Sequence, residues 1–257
     1  MRKLFTIASL AALVLASCAK EEPKSEEKGE GRVSIACNVL TDVDVTRANV
    51  NCTTPAEADF SLAIDGKTSS FHKSYANIAE FNEDNYLYHG TYTATVTAGD
   101  INEEGYDKAT FVGVKDFDVV ARQETKVDIT AKIANALVKV EVTDSFKTYF
   151  PGGYKLKLTT ALGNEFDVTA QTDPLFIAPT SLTIGGTAIK QPNQSGENAK
   201  AITLPEYTNS SLAAQTYYTI KLDVENVGQA TLTVTLNDTL VESVDIEQEL
   251  NDNSENA

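Results

Sequence analysis

Along most of this chain apolar and polar residues alternate with a period of two, the signature of a strand with one buried face. Val33, Ile35, Cys37 and Val39 give a first strand. Phe60, Leu62 and Ile64 give a second, which Asp65-Gly66 closes as a turn. From Gly90 to Ala98 one face takes Tyr92, Ala94, Val96 and Ala98, and the other Thr91, Thr93, Thr95 and Thr97. Phe111 and Val119 mark a further extended segment, and Val127, Ile129, Ala131 and Ile133 run in phase. The pattern passes without a Pro/Gly linker through Asn135 into Val138, Val140 and Val142. A compact aromatic turn follows at Phe146, Tyr149 and Phe150. Strands resume at Leu156 and Leu158, Phe166 and Val168, Leu182 and Ile184, and Ile202 and Leu204. Three more finish the series: Tyr218 to Val224, Leu232 to Leu236, and Val244 with Ile246. One segment has helical spacing, with Phe71, Tyr75 and Ile78 at i, i+4 and i+7. It predicts a short helix that covers a sheet edge or end.

Short alternating strands at this spacing predict an all-β sandwich architecture. Single cores stop growing at domain scale. The expectation is therefore two tandem β-sandwich domains, residues 32–134 and 135–250, followed by a fraying tail at 251–257.

The first 17 residues break the alternation. Arg2 and Lys3 precede an apolar run from Leu4 to Leu15, and small residues lead to Cys18. Basic, apolar and small regions in that order form a secretory signal. The run is shorter than the ~20 residues that a spanning helix needs. Leu15-Ala16-Ser17-Cys18 resembles the lipobox of bacterial lipoproteins. That resemblance implies cleavage before Cys18, lipid on its sulfur and amino group, and the lipid bilayer as a partner. One fatty chain binds only marginally, so stable anchoring needs two or more. Residues 18–31 are dense in charge and nearly free of apolar groups, which predicts a flexible acidic tether. Within it, Lys20-Glu21-Glu22 resembles the surface-export signal of Bacteroidota lipoproteins. The resemblance implies an outer-membrane protein that faces the cell exterior.

Charge narrows the partners. Removing the signal takes two of the 21 basic residues and leaves 19 against 37 acidic, a balance of −18. Such a surface repels phosphate backbones, so nucleic acid is not expected as a partner. The three cysteines leave Cys37 and Cys52 once Cys18 is lipidated. In an oxidising space this pair is a candidate disulfide closing a loop of ~15 residues, which would contribute ~3 kcal/mol. The other reading is that Cys37, in phase with Val33 and Ile35, is a small buried hydrophobe. No histidine stands at ligand spacing from either thiol, so no metal is expected.

Candidate chemistry is sparse. His72 and His89 are far apart, and no nucleophile elbow, EF-hand loop or Gly-rich phosphate cradle is present. Acidic pairs such as Asp42/Asp44 and Glu103/Glu104 read as solvated faces in so acidic a chain. Neither an enzyme nor a cofactor is expected. The segment NEDNYLYHG offers Tyr86, Tyr88 and His89 as a candidate ligand loop, since sugar rings stack on exposed aromatics.

The runs EGYDKATFVGVKDFDV, TKVDITAKIANALVKVEVTDSFKTYF and GYKLKLTTALGNEF, with the ending GQATLTVTLNDTLVESVDIEQEL, resemble a family of Bacteroidota surface lipoproteins, domain of unknown function 4493. The resemblance spans nearly the whole mature chain and is a pattern rather than a catalytic motif. It implies a fimbrillin-like architecture of two transthyretin- or immunoglobulin-like sandwiches. It also implies a non-catalytic role in adhesion or surface assembly, with glycan capture and a pilus subunit as alternatives. In fimbrillins a protease cuts after an arginine that follows the first strand, and Arg47 stands at such a place. Loss of that strand would open a groove for self-assembly by strand addition.

Overall fold

The computed structural model describes residues 29–40, 52–190, 199–226 and 229–236. Residues 1–28, with Cys18, lie outside the described residues, as do Arg47, the strand expected at Val244 and Ile246, and the tail at 251–257.

The first half consists of β1 (Glu30–Leu40), β2 (Ser61–Gly66), β3 (His72–Tyr75), α1 (Ile78–Glu83), β4 (Tyr86–Tyr88), β5 (Gly90–Ala98), β6 (Phe111–Val119) and β7 (Glu124–Ile133). Its strands form one sheet in the order β3-β2-β5-β6-β7-β1-β4. Only Phe111–Ile133 and Val112–Lys132 pair between β6 and β7, so the sheet folds over at this corner. At that corner a Cβ on Gly113 would stand 2.7 Å from Ile129 Cγ2 and 2.8 Å from the Thr130 carbonyl, so only glycine lets the two strands approach this closely. The inward sets meet as one core: Val33 and Ile35 of β1, Leu62 and Ile64 of β2, Tyr92, Ala94 and Val96 of β5, and Val127 and Ile129 of β7. Full burial of each large apolar side chain contributes roughly 1.5–3 kcal/mol.

β1 runs parallel to β7 over nine positions, from Arg32–Glu124 to Leu40–Lys132. Its other side meets antiparallel β4 at Glu30, Gly31 and Arg32. Beyond β4 the amide of Asn82, on α1, continues the ladder. Its Oδ1 accepts from Ile35 N at 3.2 Å, and its Nδ2 donates to Ile35 O at 3.0 Å.

The second half consists of β8 (Ala136–Val142), α2 (Asp144–Tyr149), β9 (Tyr154–Thr160), β10 (Glu165–Asp167), β11 (Leu175–Ile177), β12 (Leu182–Ile189), β13 (Ala201–Asn209), β14 (Tyr217–Asn226) and β15 (Gln229–Leu236). Two four-stranded sheets result, β10-β9-β12-β13 and β11-β8-β14-β15. Leu156, Leu158, Leu182 and Ile184 of one meet Val138, Val140, Ile220 and Leu222 of the other in a second core. The chain is therefore an all-β protein built of sandwiches, with the sheets parting between Ile133 and Ala136.

Four expectations need correction. The 3.6-period match of Phe71, Tyr75 and Ile78 is not a helix: residues 72–75 are β3, paired with β2, and the helix begins at Ile78. Asn77 sets that start by accepting from Glu80 N at 2.8 Å, a capping signal stronger than three spaced apolar residues. Asp65 and Gly66 are not a turn but the paired end of β2. The aromatic turn at Phe146 is the helix α2, capped by Thr143, and it buries Phe146 against the second core. The Tyr86 segment is the edge strand β4 rather than a loop. β11, Leu-Phe-Ile, carried no alternation because all three residues are buried.

Candidate contact surface

β4 sorts its three residues by the pleat. Leu87 enters the core, while Tyr86 and Tyr88 point outward and are 58% and 67% exposed. Directly paired residues share a face, so Arg32 of β1 stands beside Tyr86, and Glu124 of β7 stands beside Arg32. Glu30 similarly neighbours Tyr88. The outer face of β4, β1 and β7 thus bears two exposed phenol rings and a guanidinium in adjacent positions. The phenol of the next strand supports the platform from behind: Tyr92 Oη donates to the Tyr88 carbonyl at 2.9 Å, and its ring stacks on Phe117.

His89 does not join the tyrosines as a free group. Its Nδ1 lies 2.8 Å from the Val119 carbonyl, which can only accept, so that nitrogen is the ring donor. His72, on β3, pairs with Asp65 of β2 on the opposite edge of the sheet, so the two histidines belong to different places. Among the described residues no three His, Cys, Asp or Glu side chains stand close enough to hold a metal ion.

Cys37 and Cys52 are free thiols in the structure, each half-buried against the first core. The candidate bridge is thus not formed here, and both sulfurs pack as small hydrophobes. Burial pushes both thiols above their ordinary value, with added repulsion from Glu57 at Cys37 and from Asp107 at Cys52.

Sequence reasoning missed the junction of the halves. Glu104, dismissed as part of a solvated acidic pair, spans from the loop after β5 into the second half. Its Oε2 accepts from Thr160 Oγ1 and from Asn164 Nδ2, the latter at 2.8 Å, and its Oε1 accepts from Ala178 N at 2.9 Å. The next residue, Gly105, exchanges both backbone hydrogen bonds with Phe176 of β11 at 2.9 Å. Phe176, Leu137 and Tyr217 of the second half complete the first core. Asn135 is fully buried between them; its Oδ1 accepts from Thr110 N at 2.6 Å and its carbonyl from Gln215 N at 2.8 Å. The only local signal was a polar, aperiodic stretch between two strong strands.

Fold and surface together describe an all-β sandwich protein whose exposed chemistry lies on sheet faces and edges. The chain belongs to the family described as domain of unknown function (DUF4493), whose model matches residues 29–252. None of the curated proteins matches it. Solved structures similar to it include a candidate cell adhesion protein from Bacteroides ovatus, 12% identical, with 83% of this chain and 99% of that one covered at a TM-score of 0.40. The fimbrial anchor protein Mfa2 from Porphyromonas gingivalis is 10% identical, with 82% and 99% covered at a TM-score of 0.39. A candidate polysaccharide-binding protein from Bacteroides thetaiotaomicron is 11% identical, with 79% and 95% covered at 0.36.

Proposed function

We propose that this protein is a non-catalytic lipoprotein of the outer membrane, lipidated at Cys18, that makes contacts at the cell exterior in adhesion or surface assembly. Its two domains are residues 32–134 and 135–250. The observation that carries the reading is the row of Tyr86, Arg32 and Tyr88 on the outer face of β4 and β1. Tyrosine and arginine are the side chains that most often anchor protein interfaces. The resemblance of Leu15 to Cys18 to a lipobox, and of Lys20-Glu21-Glu22 to a surface-export signal, supports that location.

Two measurements test it. Protease shaving of intact cells should remove the body; shielding until the outer membrane is permeabilised makes it a periplasm-facing scaffold instead. Cells bearing Tyr86→Ala with Tyr88→Ala should lose adherence to protein-coated surfaces while displaying the protein at unchanged level. Retained adherence takes the role away from this face. Saturable binding on a glycan array, lost in the same double variant, would make the face a glycan-capture surface.

A second reading draws on the pairing of β1. Cleavage after Arg47 and loss of residues 18–47 would strip nine paired positions from β7 and leave its edge open to another subunit's strand. An arginine-specific protease should then shorten the mature protein by that fragment, and an unchanged mass removes the pilus-subunit reading.

A further inference from the structure

Where the halves join, two buried side-chain atoms meet no hydrogen-bonding partner among the described residues: Thr110 Oγ1 and Asn135 Nδ2. Thr110 is 1% exposed and Asn135 is wholly buried. They stand together because the ladder between β6 and β7 ends at this point. Ala134 N donates to the Thr110 carbonyl at 2.7 Å, as an antiparallel pair requires. The return bond goes to a side chain instead, with Thr110 N donating to Asn135 Oδ1 at 2.6 Å. The backbone is thereby released from the sheet, and the Asn135 carbonyl accepts from Gln215 N of the second half at 2.8 Å. This fixes the amide. Turned over, Nδ2 would face Thr110 N, donor against donor. Nδ2 therefore points away from Thr110 N, with its hydrogens still to be placed.

Native interiors leave few such groups unpaired, because a buried donor without an acceptor bears the full cost of leaving water. Two of them on residues already bonded to each other point to one shared partner. The residues that flank the pair in the chain, Ala109, Phe111, Ala134 and Ala136, have no polar side chain to offer. Gly99 leaves the room. Its φ is +87°, and a Cβ there would stand 2.8 Å from the Ala109 carbonyl and 3.3 Å from Thr110 Oγ1. Glycine at this position keeps a side chain off the hydroxyl.

We propose that Thr110 Oγ1 and Asn135 Nδ2 hold one internal water molecule, a fixed part of the junction between the halves. The chemistry selects it. Nδ2 only donates, while the hydroxyl donates or accepts, and a water oxygen with two hydrogens satisfies both at once. Internal waters make roughly two to four hydrogen bonds, and these two atoms supply the minimum. An anion would also accept from Nδ2, but the flanking residues carry no charge to offset its burial. A metal cation would meet the donor face of the amide and is refused. The site does not rest on the adhesion reading and stands if the Tyr86–Tyr88 face binds nothing.

The test joins a high-resolution crystal structure of the full chain to denaturant titration of two variants. The density should hold a single isolated peak within hydrogen-bond distance of both Thr110 Oγ1 and Asn135 Nδ2. Thr110→Val keeps the branched shape and removes the hydroxyl, and the sign of its effect decides the matter. If the hydroxyl is an orphan, removing it relieves a buried polar group and raises the unfolding midpoint. If it holds a water, the variant strips that water of a partner, so the midpoint falls and the peak is lost. Thr110→Ser, which keeps the hydroxyl, should retain the peak. Density that is empty between the two atoms, or that shows them bonded directly to each other, overturns the proposal. So does a raised midpoint in Thr110→Val. A lowered midpoint without the peak in the parent also counts against it, since poor packing of the valine would produce that alone.

Discussion

Asn135 shows how much one side chain decides where the halves meet. It is wholly buried, and its Oδ1 is the partner of Thr110 N. Asn135→Ala would leave that N–H buried without an acceptor, which costs about 1–3 kcal/mol. Denaturant titration should show a lowered midpoint with unchanged slope; an unmoved midpoint would mean the junction relaxes at no cost. Asp116 makes the corresponding case for pH. Hydrogen bonds from Lys67, then from Thr93, hold its carboxyl below the ordinary value of 3.8. A folded pKa lowered in this way contributes stability above the unfolded value, and that contribution fades as pH falls through the folded one. Asp116→Asn should therefore lower stability slightly at neutral pH, remove the fall between the unfolded and folded pKa values, and converge on the parent below them. Because the group is exposed, salt should shrink the difference.

At the scale of elements, periodicity exposed the strands but not their neighbours. The alternation over 90–98 reappears as β5 with Tyr92, Ala94, Val96 and Ala98 buried, because a half-buried strand imposes its own pattern on the sequence. Nothing local told β1 that it would lie parallel to β7, some ninety positions onward, or that a helix side chain would complete its ladder. Asn82→Ala removes both hydrogen bonds to Ile35. The expected cost is about 1–2 kcal/mol, with faster amide exchange at Ile35 than elsewhere in the sheet. Uniform exchange across β1 would show that β4 and β7 hold the strand unaided. The helix α1 was misplaced for a related reason. Three apolar residues matched its period by chance, while Asn77, its true start, is a capping signal that a hydrophobic count ignores.

For the whole molecule the decisive group is Glu104. Hydrogen bonds to a charged acceptor contribute about 1.5–3 kcal/mol each, and this carboxylate receives three across the junction. Glu104→Ala should uncouple the halves, so that calorimetry resolves two transitions where the parent shows one. A single transition in the variant would mean that Phe176, Leu137 and Tyr217 suffice to couple them. The candidate surface was legible only in part: Tyr86 and Tyr88 stood out as aromatics in a polar stretch. Their shared face and their neighbour Arg32 follow from an antiparallel register that only folding creates.

What this chain determined on its own was every property that repeats over a few residues. The longer alternating strands, their buried faces and the two clusters of apolar residues follow from a pleat that forces alternate side chains to opposite sides. Tertiary structure alone decided which strands are neighbours, where the sheet folds over at Gly113, and how a loop carboxylate comes to bridge two halves. Those outcomes depend on packing between segments far apart in the chain, and no short window of sequence contains both partners.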